Sequence, residues 1–89
     1  MTIIPALPGY TMIDLIDLSG LWASGDEKCI IAWRILDDDG VTLAIPITPL
    51  GEPDMDYLII DPLGNVSHPH EGSVYKTVSH AVDTMNNGE

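Results

Sequence analysis

The chain has 89 residues, with 14 acidic and 3 basic side chains and a formal net charge of −11. That length makes one small domain, 1–89, burying roughly 60–65% of its unfolded surface in one modest core. The charge argues against direct binding to duplex phosphates, which needs clustered Lys and Arg, and disfavours an anionic membrane surface. It favours basic partners, and it also serves plain solubility.

Hydrophobic residues make up 45% of the chain and come in patterned runs, so a core is expected rather than general disorder. Cys29 is the single cysteine, which forbids an intrachain disulfide and fits a reducing, cytoplasmic setting. The start, MTIIPALPGY, has no basic region and carries Pro5 and Pro8, so it does not read as a signal peptide. No apolar stretch reaches the ~20 residues of a spanning helix.

Residues 1–9 read as an extended N-terminal arm, because Pro5 and Pro8 remove donors and disfavour helix. Residues 10–18, YTMIDLIDL, fit a short strand after Pro8-Gly9, with a helix as the competing reading. Residues 19–25 read as a loop or single turn that carries Trp22. A hairpin is expected over 27–48, from KCIIAWRIL and VTLAIPIT around Asp37-Asp38-Asp39-Gly40. The hydrophobic pattern favours a three-residue loop, Asp38-Asp39-Gly40, which places Ile35 opposite Leu43 and Trp33 opposite Ile45 on one apolar face. A two-residue loop would put Arg34 opposite Ile45. Ile30, Ala32 and Leu36 make the other face apolar too, which predicts cover from the arm or from a homodimer contact.

Residues 49–56 form an acidic loop, 57–60 a strand, Asp61-Pro62-Leu63-Gly64 a turn, and 65–68 a further short strand. A C-terminal helix is expected over 73–86, with Ser73 as N-cap and Val74, Val78, Ala81, Val82 and Met85 in one stripe. The predicted fold is α+β: an antiparallel sheet of four to five strands with one C-terminal helix packed on it.

Candidate chemistry is sparse. His68, His70 and Glu71 form H-P-H-E, with His80 on the following helix, and histidines are good zinc ligands. His80 falls away from the apolar stripe and no second ligand pair follows at zinc-finger spacing. His68 and His70 therefore read as weak metal candidates in a polar loop, and no cofactor is expected. Cys29 alternates with the Ile31 and Trp33 face and reads as a small core residue, not a nucleophile. No phosphate-binding glycine loop is present. Nothing here indicates an enzyme.

Charge placement is the stronger lead. Residues 35–75 hold no base and eight acids, most of them in turns. Asp37, Asp38 and Asp39 crowd the hairpin tip, while Glu52, Asp54 and Asp56 alternate along the next loop. Duplex DNA carries one charge per ~1.7 Å, and carboxylates on rigid turns can imitate part of that field. Trp22 joins these six as a candidate partner contact if its indole is exposed. The competing reading folds it back over a sheet edge.

The segments IIPALPGY, IIAWRILDDDG, AIPIT and D-P-x-G resemble small tailed-phage and prophage accessory proteins, which share a Pro-Gly-aromatic start and an I-A-W-R-I-type strand. The similarity covers roughly residues 3–65, rests on structural motifs, and assigns no role to Trp33 or Arg34. The C-terminal helix departs from the shorter forms. The resemblance implies a phage-like context, in which small acidic proteins bind and inhibit host defence machinery, anti-CRISPR proteins among them. The leading expectation is a non-enzymatic inhibitor in the host cytoplasm. Its partner would be a basic nucleic-acid-handling host protein such as a CRISPR effector. The alternatives are a homodimeric phage structural or assembly protein and a small metal-binding module.

Overall fold

The computed structural model describes residues 2–54, 56–69 and 72–87, with Asp38 known by its backbone alone. Among these, eight strands and one helix follow in the order β1 (Thr2–Pro5), β2 (Thr11–Leu18), β3 (Leu21–Cys29), β4 (Ala32–Asp38), β5 (Val41–Ile47), β6 (Tyr57–Ile60), β7 (Val66–His68), β8 (Ser73–Tyr75) and α1 (Val78–Asn86). The class is α+β, with every strand pair antiparallel. The strands divide into two sheets, ordered β1-β4-β5 and β3-β2-β6-β7-β8.

Much of both sheets is one long hairpin bent at a waist. Beyond the turn Ser19-Gly20, β2 pairs with β3 from Leu18↔Leu21 out to Thr11↔Cys29. The same two chain segments then pair again as β1 and β4, from Pro5↔Ala32 to Thr2↔Ile35. Between them, Ile30 N–H donates to Tyr10 C=O and Ala6 N–H donates to Ile31 C=O, each at 3.0 Å. Residues 6–10 lie opposite only Ile30 and Ile31, and this mismatch bends the ribbon from one sheet into the other. Gly9 makes the bend fit. Its φ is +98°, and a Cβ there would meet the Pro62 Cβ at 3.0 Å.

The waist corrects several expectations. The arm at 1–9 contributes β1, which adds to the edge of β4 and does not lie across its face. Of the segment 19–25 only Ser19-Gly20 is a turn: Leu21–Cys29 is a full strand, and Trp22 lies within it. The predicted strand 28–36 is divided at Ile30-Ile31, with its first part in one sheet and its second in the other.

The hairpin between β4 and β5 takes the two-residue loop, not the three-residue one. Arg34 pairs with Ile45, Leu36 with Leu43, Ile35 with Ala44 and Trp33 with Pro46. Asp39 and Gly40 both have positive φ, 49° and 82°, the left-handed pair whose twist matches flanking strands. Turn chemistry therefore sets the register. The large apolar groups do not share one face. Trp33 and Ile35 lie on one side, and Leu36, Leu43 and Ile45 on the other.

The C-terminal helix is shorter than expected. It begins at Val78, and Thr77 is its cap: the Thr77 hydroxyl accepts from His80 N–H at 3.0 Å. Ser73 lies in β8 instead, and Val74 is exposed. Val74 fits the helical period but belongs to a strand that β7 pairs in register. Local periodicity yields there to tertiary pairing. The segments 57–60 and 61–64 form the expected strand and turn. The Asp61 carboxylate organises that turn by accepting from Leu63 N–H and Asn65 N–H, both at 2.9 Å. Those bonds, Asn65 N–H foremost, hold the Asp61 carboxyl below its ordinary pKa.

Two cores result. Leu15, Leu58, Val66 and Ala81 are buried where α1 crosses the five-stranded sheet, with Trp22, Val78, Val82 and Met85 packed around them. Met12, Ile30 and Tyr57 form a second cluster at the waist, joined by Tyr10 and Trp33. The Tyr10 and Trp33 rings meet edge to face, with centroids 5.6 Å apart, a favoured aromatic geometry.

Candidate functional site

The acidic candidates do not form one uniform surface. Asp37 and Asp39 are exposed at the β4–β5 tip, and Asp37 accepts from the Thr42 hydroxyl at 2.8 Å. Asp38 ends β4 beside them. Asp54 is exposed in the loop after β5. Glu52 and Asp56, in the same loop, are engaged within the molecule.

Glu52 receives two parallel bonds from Arg34, Nε to Oε2 and Nη2 to Oε1, each 2.6 Å. Arg34 sits at the centre of its sheet, so this pair pins the loop to β4. The bonds from Arg34 hold the Glu52 carboxyl below its usual range, and the same bonds raise the guanidinium further. Asp56 Oδ2 lies 2.8 Å from His68 Nε2, and Asp56 Oδ1 accepts from Tyr57 N–H at 2.9 Å. Lys28 similarly reaches Asp14 at 2.5 Å, between β3 and β2.

His68 is therefore not in a polar loop. It is buried in β7, its side chain enclosed and bonded to Asp56. The expected partner His70, like Glu71, lies outside the described residues. His80 is exposed on α1 and packs edge to face on Tyr75. Among the described residues, no three His, Cys, Asp or Glu side chains gather as a metal cage. Cys29 is exposed at the end of β3, not a core residue as its alternation suggested. β3 is an edge strand, so residues that alternate inward elsewhere can face water there.

Trp22 is half-buried against the α1 core. Its backbone N–H donates to Asn86 Oδ1 at 2.6 Å, and its backbone C=O accepts from Asn86 Nδ2 at 3.0 Å. The indole and its backbone thus fasten the end of α1 to β3.

A groove that the sequence did not suggest runs between β5 and the loop before β6. Leu43, Ile45 and Arg34 form one wall, and Glu52, Asp54 and Tyr57 contribute to the other. Burial raises the Tyr57 phenol above its ordinary pKa, and the negative charges of Asp56 and Glu52 raise it further. Its only sequence signal was the alternation of acids over 52–56. No helix among the described residues is long and apolar enough to cross a membrane. Comparison with protein-family models, with curated proteins and with solved structures finds no match to the chain.

Proposed function

We propose that the chain is a non-enzymatic binding protein that engages a basic, nucleic-acid-handling partner, as phage-type inhibitors of host defence do, anti-CRISPR proteins included. One observation carries the reading. Two of the three bases, Lys28 and Arg34, are already held by Asp14 and Glu52, while Asp17, Asp26, Glu27, Asp37, Asp39, Asp54 and Asp83 stand exposed. The outward field is therefore acidic, and such a field steers and orients a basic partner.

The test is capture from a bacterial lysate with the immobilised chain, compared with a variant carrying Asp37→Asn, Asp39→Asn and Asp54→Asn. These three carboxylates lie outside the ion pairs above, so the fold should persist. Capture of a basic protein should fall steeply with salt, fall in the variant, and be competed by duplex DNA. Equal capture by the neutralised variant would refute the reading.

A second reading has its own observation. Ile3, Leu7, Ile31, Val41 and Leu43 are more exposed than large apolar residues usually are, and all lie on or beside the three-stranded sheet. They favour a homodimeric assembly protein. Sedimentation would then show a dimer whose affinity ignores the three Asn substitutions.

A further inference from the structure

The backbone parity of β5 can be worked out. Asp38 and Val41 flank a two-residue turn, so they form a hydrogen-bonded pair, and every second residue after Val41 bonds to β4. Ile31 N–H donates to Ile47 C=O at 2.8 Å, which agrees with that parity at the far end. Leu43 and Ile45 therefore bond inward. Thr42 and Ala44 direct their N–H and C=O groups to the open edge, and both residues are exposed. Pro46, next in the outward series, has no N–H to offer. β5 is the edge of its sheet, with β4 as its neighbour.

This edge is not merely blunted, because a built groove runs beside it. Leu43 and Ile45 supply an apolar wall, and Glu52, Asp54 and Asp56 an acidic one. Arg34 is bonded to Glu52 and His68 to Asp56, while Asp54 stands exposed at the groove.

Resting on the basic-partner reading above, we infer that β5 accepts an added strand at Thr42 and Ala44 from an extended segment of a partner protein that alternates Lys or Arg with apolar residues. Main-chain bonds to the edge supply attachment, and alternate side chains meet the groove. Strand alternation puts the two sets on opposite faces. The basic side chains enter the groove, with their stems along Leu43 and Ile45 and their charges toward Asp54. The apolar ones lie over Ala44, Trp33 and Ile35.

The probe is a capped octapeptide alternating lysine and valine, titrated into the 15N-labelled chain. Amide exchange at Thr42 and Ala44 should slow about tenfold or more at saturation. Leu43 and Ile45, already bonded, should change little. Ala44→Pro removes an outward donor without touching the β4 ladder and should weaken binding about tenfold. The same peptide N-methylated at alternate residues keeps its charge and apolar groups, and should lose binding without any change to the protein. A glutamate–valine peptide should not bind. Binding that leaves Thr42 and Ala44 unprotected, or tolerates both Ala44→Pro and N-methylation, overturns the added strand while leaving the basic-partner reading intact. Absence of binding also overturns it, as does protection that grows with protein concentration alone, which would place a second copy on the edge.

Discussion

Arg34 and Glu52 meet through two parallel bonds of 2.6 Å, joining the central strand of the smaller sheet to the loop that leaves its edge. Glu52 has its folded-state pKa lowered, so it contributes stability above the ordinary carboxylate range, lost as pH falls through the depressed value. Denaturant midpoints should therefore drop on acidification through that range. In Glu52→Gln this component should flatten, and high salt should shrink it because the pair is solvent-exposed. Arg34→Lys cannot restore the two-pronged geometry and should behave like a partial loss. An unchanged acid profile in Glu52→Gln would show that the pair adds nothing to stability.

Leu58 is fully buried at the centre of the α1 core, between Leu15, Val66 and Ala81. Leu58→Ala should cost about 2–5 kcal/mol, through lost burial and the cavity left behind. Chemical denaturation measures it directly. A cost below about 1 kcal/mol would mean that the helix closes over the gap.

Gly9 and Gly20 both have positive φ, but only Gly9 has a neighbour within 4 Å of where a Cβ would stand. Gly20→Ala should cost about 1 kcal/mol, the strain of the left-handed backbone. Gly9→Ala adds a collision with Pro62 and should cost more, about 2–3 kcal/mol. Equal losses would show that the waist can open to admit a methyl group.

Thr77 and Ser73 separate the two possible helix starts. Thr77→Ala removes the acceptor for His80 N–H and should cost about 1 kcal/mol. Ser73→Ala should stay within about 0.5 kcal/mol, since no cap depends on it. Reversal of that order would return the helix start to Ser73.

What the sequence made legible follows from how local each signal was. Tyr57–Ile60 and the Asp61–Gly64 turn are set by adjacent residues and were readable. The β4–β5 register differs from the one the hydrophobic pattern favours: both faces of the hairpin carry apolar residues, so that pattern is a weak guide, and the left-handed pair Asp39-Gly40 decides it. β3 carries Ser24, Gly25, Asp26 and Glu27 and has no strand signature. It is a strand because β2 pairs with it. Glu52, Asp54 and Asp56 lie in a loop as expected, whereas Asp37 and Asp38 belong to β4 and Asp39 to the turn, and the partners of Glu52 and Asp56 lie far away in sequence. Asp14 with Lys28, Glu52 with Arg34 and Asp56 with His68 are 14, 18 and 12 residues apart, distances over which a single sequence carries no pairing information.

The strands of the two sheets are interleaved along the chain: β1, β4 and β5 in one, β2, β3, β6, β7 and β8 in the other. No single cut separates them, so neither half can be excised as an autonomous piece. A load applied to β5 is passed to β4, through Ile30 and Ile31 to β3, and so to the helix that Trp22 and Asn86 fasten. The molecule should resist being pulled apart as one mechanical unit, rupturing in a single event and not sheet by sheet.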